Sequence, residues 1–329
     1  MTGLVLACLA AGGLLLHRQL QTGRKVSAQG EGRASAARKH FDRQRNVDAE
    51  LVRWRQVDEI PCDQEGLRGI AVGSDGTLYV AANAGVLVIE PGGEPSVMAT
   101  PGGPARCVAV HEDSGGRRVL VGIGGRVAVM QVDRPLQSWA ATSGTGLVTS
   151  ISPGRETVWA ADAANRTVVA FGWDGQQKAR LGQPDADTGD TGLIVPSPFL
   201  DVAQTPDGGV VIGNPGRHKI ETYNASGKRV NSWGKGSSAT EGFCGCCNPV
   251  HICLLPDGRI VTAEKGIPRV KAYKQDGALD SVIAPPEALS RYAEGLDLAA
   301  DGQGRVYVLD PPAQVVRVFE EINGPDSGP

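Results

Sequence analysis

Aromatic residues are scarce, with five each of Trp, Tyr and Phe in 329 residues. Most fall within apolar stretches, which argues against an aromatic sugar-binding platform and leaves Trp139, Trp159, Trp173 and Trp233 as packing residues. No charge of one sign dominates: the formal net charge is -3, so the chain has no nucleic-acid footprint. No apolar run reaches the roughly 20 residues of a spanning helix. There is no Gly-x-Ser-x-Gly elbow, and Gly122-Ile123-Gly124-Gly125 leads into no helical pattern, so a phosphate loop fails. His17, His40, His111 and His218 stand isolated.

The longest apolar stretch, Leu4 to Leu16 (LVLACLAAGGLLL), has the length of a signal-peptide core, although no Lys or Arg precedes it. Residues 1–22 are therefore expected to form a signal or anchor segment, with Cys8 an ordinary apolar residue. Between Arg18 and Arg45, eight Lys or Arg face only Glu31 and Asp42. Residues 23–48 read as a basic linker, partly helical or disordered, able to touch anionic lipid. The expected location is extracytoplasmic, periplasmic or on the cell-surface side, with the chain N-terminally anchored or secreted.

What is abundant is turn chemistry, with 45 Gly and 21 Pro. A strand–turn–strand–turn–strand unit recurs six times, beginning at Gly69 (GIAVGSDGTLYVAANAGVLVIE) and returning at Val108, Ile151, Val202, Ile252 and Leu298. The middle strands centre on Val80, Leu120, Trp159, Ile212, Val261 and Val308. Their spacing runs from 39 residues (Leu120 to Trp159) to 53 (Trp159 to Ile212), enough for one four-stranded blade each.

The turns Pro206-Asp207-Gly208 and Pro256-Asp257-Gly258 carry a resemblance, as does the run Asp162 to Val168 with its counterparts at Asn214, Glu264 and Asp310. Over roughly residues 50–320 the chain resembles the NHL-repeat family. That resemblance implies an all-β, six-bladed β-propeller (NHL-like) over residues 49–320, with a loose tail at 321–329. A ring needs its last sheet completed. The unclaimed stretch Leu51 to Val57 is expected to be the outer strand of the final blade.

The densest chemistry lies in Phe243-Cys244-Gly245-Cys246-Cys247-Asn248-Pro249-Val250-His251. Two readings stay open. Thiolates and imidazole suit a transition metal, whether zinc, copper or iron. Alternatively Cys62, Cys107, Cys244, Cys246, Cys247 and Cys253 make disulfides in an oxidising compartment. Aligning the inner strands puts Gly69, Cys107, Thr149, Asp201, His251 and Asp297 at one position around a channel mouth. Cys62 precedes Gly69 by seven residues, as Cys244 precedes His251, so Cys62, Cys107, Cys244, Cys246, Cys247 and His251 are expected to converge there. Cys253 aligns with Ala71, Ala109, Ala203 and Ala299 and reads as a small core residue.

Asp201, Asp297, Glu264, Arg217, Arg269, Asp162 and Asp310 are the residues expected on a ligand- or partner-binding face, although turn residues of this kind also serve local capping. The function expected is a binding or scaffold module acting through that face on a protein partner. The alternative is a metal-binding or redox-active protein working with a membrane or redox partner. Some NHL-like propellers are metal-dependent lyases, but this chain lacks a second histidine set.

Overall fold

Successive side chains of a strand point to opposite faces, so the nearly continuous apolar stretches give strands with two apolar faces, and such strands must be covered on both sides. The computed structural model describes residues 45–131, 135–140, 145–186 and 189–322. The expected signal segment, nearly all of the basic linker and the tail lie outside these residues. By internal contacts the chain divides into residues 1–46 and 47–329. Among the described residues no helix is long and apolar enough to cross a membrane.

The second unit is six four-stranded antiparallel sheets. Their inner strands are Gly69–Val72, Cys107–Asp113, Val148–Pro153, Val202–Gln204, His251–Leu254 and Leu298–Ala300. Residues of all six line one central channel. Blades 1 to 5 run outward in chain order, whereas blade 6 takes its outer strand from the N-terminal side of the propeller. This is the six-bladed propeller that the repeats imply.

The core consists of six apolar clusters, one between each pair of neighbouring blades. Strand alternation sorts side chains between them. In blade 2, Leu120 packs toward blade 3 while Val119 and Val121 pack toward blade 1. In blade 3, Val158 and Ala160 face blade 2 while Trp159 and Ala161 face blade 4. Outer-strand tryptophans reinforce the pattern: Trp139 of blade 2 meets Phe171 of blade 3, and Trp233 of blade 4 meets Tyr273 of blade 5. The Asp-Gly turns follow from glycine's freedom. Gly76, Gly208 and Gly258 adopt φ of +83° to +86°, and the preceding aspartates accept backbone N–H bonds two residues on.

Closure is real, but its strand lies further along the chain than expected. Ala49–Leu51 is a 3-10 turn, and the closing strand is Trp54–Pro61, paired antiparallel with Val315–Glu321. The reason is register: the seven-residue partner runs from Trp54↔Glu321 to Pro61↔Val315, with a bulge between Gln56 and Asp58. Trp54 fastens this strand to blade 5, donating from Nε1 to Ser281 Oγ at 3.1 Å beneath the Arg259 guanidinium. Trp54→Ala is expected to lower stability by about 3–5 kcal/mol, seen as a lower urea midpoint with an unchanged slope. A loss below ~1 kcal/mol would show that closure does not depend on this residue.

Candidate functional site

The six aligned inner-strand residues form a hoop, each reaching the next blade. Gly69 of blade 1 has no side chain because a Cβ there would stand 2.8 Å from Cys107 Cα. Cys107 of blade 2 donates weakly to Val148 O at 3.8 Å, and Thr149 of blade 3 donates to Leu200 O at 2.7 Å. Asp201 of blade 4 accepts from Ile252 N at 2.8 Å. His251 of blade 5 reaches Asp297 of blade 6, and Asp297 accepts from Ile70 N at 2.7 Å, returning to blade 1. The alignment of these residues around a channel mouth was legible in the repeats; their role in joining blades was not.

His251 carries the unusual electrostatics. Nδ1 lies 3.2 Å from Asp201 Oδ2 and 2.9 Å from Asp297 Oδ1. Burial alone would lower its pKa, but the charge of Asp297 and hydrogen bonds to Asp201 and Asp297 outweigh it and raise it to about 10. The ring is therefore an imidazolium at neutral pH. The donor atoms of Asp201, His251 and Asp297 lie within 4.8 Å of one another. Nδ1 must carry a proton to serve both carboxylates, however, and a protonated nitrogen has no lone pair for a metal. The set fits a shared proton better than an ion.

Nε2, across the ring, is buried and has no hydrogen-bond partner. It faces Gly295, where a Cβ would come within 3.8 Å of it. His251 lines a pocket of about 380 Å³ with Leu67, Phe199, Tyr292, Arg68 and Arg106. Phe199 packs edge-on against the imidazole at 5.5 Å between centroids. Arg68 is half-buried, donating to Gly66 O and Asn83 Oδ1. Burial, followed by the like charge of Arg106, pulls its guanidinium below the usual value. Sequence reasoning missed both arginines, yet each immediately precedes an aligned hoop residue. The same position holds buried Val148, Leu200, Val250 and Leu296 in the other blades.

The expected thiol–imidazole convergence separates into distinct places. None of the six described cysteines is bridged. Cys62 is a core thiol between blades 6 and 1, and burial pushes it up to about 11. Cys107 belongs to the hoop, and Cys253 is a core residue. Burial raises both of their thiols strongly. Cys244, Cys246 and Cys247 share one loop, where the Cys246 and Cys247 sulfurs are 3.3 Å apart. Among the described residues, no group of three Cys, His, Asp or Glu ligand atoms within 4.8 Å includes a cysteine.

The expected partner face is corrected in a similar way. Asp162, Glu264 and Asp310 are fully buried. Each ends a second strand and accepts a backbone N–H from the loop before its own blade's inner strand: Leu147 to Asp162, Cys244 to Glu264 and Ser290 to Asp310. Asn214 does the same for Ile194. Such carboxylates replace water for loop amides that would otherwise be buried unpaired. Arg269 is buried against Glu264 at 3.0 Å, and the half-buried Arg217 meets Asp190 and Thr191.

No protein-family model matches the chain, and no curated protein matches it in sequence. Its fold is similar to solved propellers. A streptogramin B lyase has a TM-score of 0.57 at 11% identity, over 81% of this chain and 97% of that one. A catalytically inactive histidine-to-alanine variant of virginiamycin B lyase from Staphylococcus aureus, with quinupristin, has 0.56 at 15%, over 82% and 88%. The WD40 β-propeller domain of Doa1 has 0.53 at 16%, over 82% and 97%. Identities this low show the fold alone.

The raised His251 pKa has a defined sign. Because the folded value of about 10 exceeds the unfolded value of about 6.5, its stabilisation is complete below the unfolded value. It is lost as pH rises through the folded one. Between them, wild type is expected to lose up to about 1.4 kcal/mol per pH unit relative to His251→Gln. Urea midpoints at pH 7, 8 and 9 measure this; parallel profiles would show that the ring is not protonated.

Proposed function

We propose that the protein is an NHL-type binding propeller whose channel mouth takes the acidic group of a ligand or partner. The observation that carries this reading is Nε2 of His251, buried and without a hydrogen-bond partner, on a residue that lines an open pocket. At neutral pH the imidazolium would donate a charge-assisted bond to a carboxylate, the stronger kind of hydrogen bond. Asp201 and Asp297 more than cancel its charge locally, so the further cationic groups available to an acidic ligand are Arg68 and Arg106 on the same pocket, beside the carboxylate of Glu294. Leu67, Phe199, Pro198, Pro311 and Pro312 offer apolar surface to the rest of the ligand.

The propeller neighbour solved with quinupristin shows that a related architecture is compatible with ligand binding, while the acidic class proposed here comes from this pocket alone. The apolar stretch Leu4 to Leu16 supports placing the propeller outside the cytoplasm behind an anchor or signal. A second reading, a metal-binding or redox-active protein, is favoured by the closeness of the Cys246 and Cys247 sulfurs rather than by the His251 site.

Benzoate, with neutral benzamide as control, tests the acidic-ligand reading by calorimetry at low salt. Benzoate is expected to bind and benzamide not to. His251→Gln and Arg106→Gln are each expected to weaken binding about tenfold or more, as loss of a charge-assisted bond implies. Equal binding of both probes, or no effect of either substitution, would overturn it.

A further inference from the structure

The loop bearing Cys246 and Cys247 is held from beneath by buried polar side chains. Asn248 is 1% exposed. It donates to Cys244 O and Lys265 O and accepts from Lys265 N. Glu264 accepts from Cys244 N at 2.8 Å. The Lys271 ammonium, fully buried, holds the carbonyls of Thr240 and Gly242 and lies 2.6 Å from Glu264. His218 Nε2 meets Gly245 O at 2.8 Å, and Gly245 turns the chain at φ +86°. Both cysteine side chains are thereby brought to one side, although neighbours on an extended strand would point apart.

The two thiols differ in environment. Cys246 is exposed and Cys247 buried. Burial raises the Cys247 thiol, but the neighbouring Ser197, Cys246 and Lys265 side chains outweigh it and draw it below the usual value. Its hydrogen-bonded neighbour Cys246 is raised. The pair therefore lies near the Lys265 ammonium with one sulfur reachable from solvent, the setting of reactive thiols. Cys62, Cys107 and Cys253 are buried with raised thiols and have no such access.

Direct bridging is poorly suited to this pair. Adjacent α-carbons across a trans peptide are about 3.8 Å apart, short of the ~4.4–6.8 Å that disulfides span. Insertion of one atom between the sulfurs relieves that constraint. With bonds to sulfur of about 2.3 Å, sulfurs 3.3 Å apart subtend about 90° at the inserted atom, well below a tetrahedral angle. Tetrahedral zinc would also require further donors, and among the described residues no group of three His, Cys, Asp or Glu ligand atoms within 4.8 Å includes these sulfurs.

We propose that Cys246 and Cys247 form a two-sulfur chelating site for a thiophilic cation with pyramidal bonding, of the trivalent arsenic type. With an arsonous group, R–As(OH)2, the step is a condensation. Two S–H and two As–O bonds break, two As–S bonds form, and the protons leave with the hydroxyls as two waters. No electrons are transferred. The site narrows the metal-binding reading to two sulfurs and is independent of the acidic-ligand pocket.

Phenylarsine oxide, which hydrates to such a group, is the probe, added to the reduced full-length protein and followed by intact mass. One phenylarsenic group per chain is expected, stable to excess monothiol and removed by a dithiol. Cys246→Ser, at an exposed position, is expected to lose the adduct at least 100-fold in affinity, while Cys244→Ser retains it. Wild type that takes up no probe, Cys246→Ser that still binds, or Cys244→Ser that fails to bind would each overturn the two-sulfur site.

Discussion

The structure depends on a hoop of contacts at the inner end of its blades. Apolar clusters between blades supply cohesion, but they are non-directional and would tolerate blades sliding past each other. The hoop supplies direction. Thr149, Asp201 and Asp297 each fix a named backbone group of the next blade, and His251 couples two carboxylates that would otherwise repel across the channel. The positions differ in chemistry because each meets a different neighbour: a carbonyl needs a donor, an amide needs an acceptor, and the tight approach at blade 1 leaves room only for Gly69.

His251 is where this scaffold meets the pocket. Asp201 Oδ2 already serves the Ile252 amide and Asp297 Oδ2 the Ile70 amide, so both carboxylates are fixed before the imidazole is considered. Two fixed anions hold the proton on Nδ1 and orient the ring, which commits Nε2 to the pocket side. The same arrangement limits the pocket's chemistry. A nitrogen whose proton is held to about pH 10 is a donor over the ordinary range and a poor base. That property is what the proposed acidic-ligand reading draws on.

Fold and site were legible in the sequence to different degrees, for physical reasons. Strand alternation and Asp-Gly turns are local, so the six blades could be read directly, and repetition placed Asp201, His251 and Asp297 at one level. The closing strand was recognised but started three residues late in the structure, because its limits follow from pairing with Val315–Glu321, some 260 residues away in the chain. Asp162, Glu264 and Asp310 looked like surface charges by residue type. Their burial depends on amides from loops whose paths no spacing reveals. Cys62 and Cys244 share an offset of seven residues from the hoop, but only Cys244 lies on a loop turned outward by Gly245 and anchored by Asn248. Arg68 and Arg106 stand one residue outside the aligned frame, at a position occupied by buried apolar side chains in the other four blades.

Blade 5 shows why the two chemically rich features lie close in sequence. A buried Glu264–Arg269–Lys271 group is costly to desolvate, and burial pushes Lys271 down to about 8 despite Glu264 beside it. An apolar core of the same volume would serve cohesion as well. The charged group gives fixed acceptors and donors for the loop from Thr240 to Cys244, which pass through Glu264 and Lys271 to the strands of the blade. The cysteine loop is thus tied to the same sheet that presents His251. Phe199 packs edge-on against the imidazole and its ring centre lies 5.1 Å from the Lys265 ammonium, while Ser197, two residues before it, is close enough to Cys247 to lower its thiol. A group bound at the sulfurs and a group bound in the pocket would both press on this one short segment, Ser197 to Phe199.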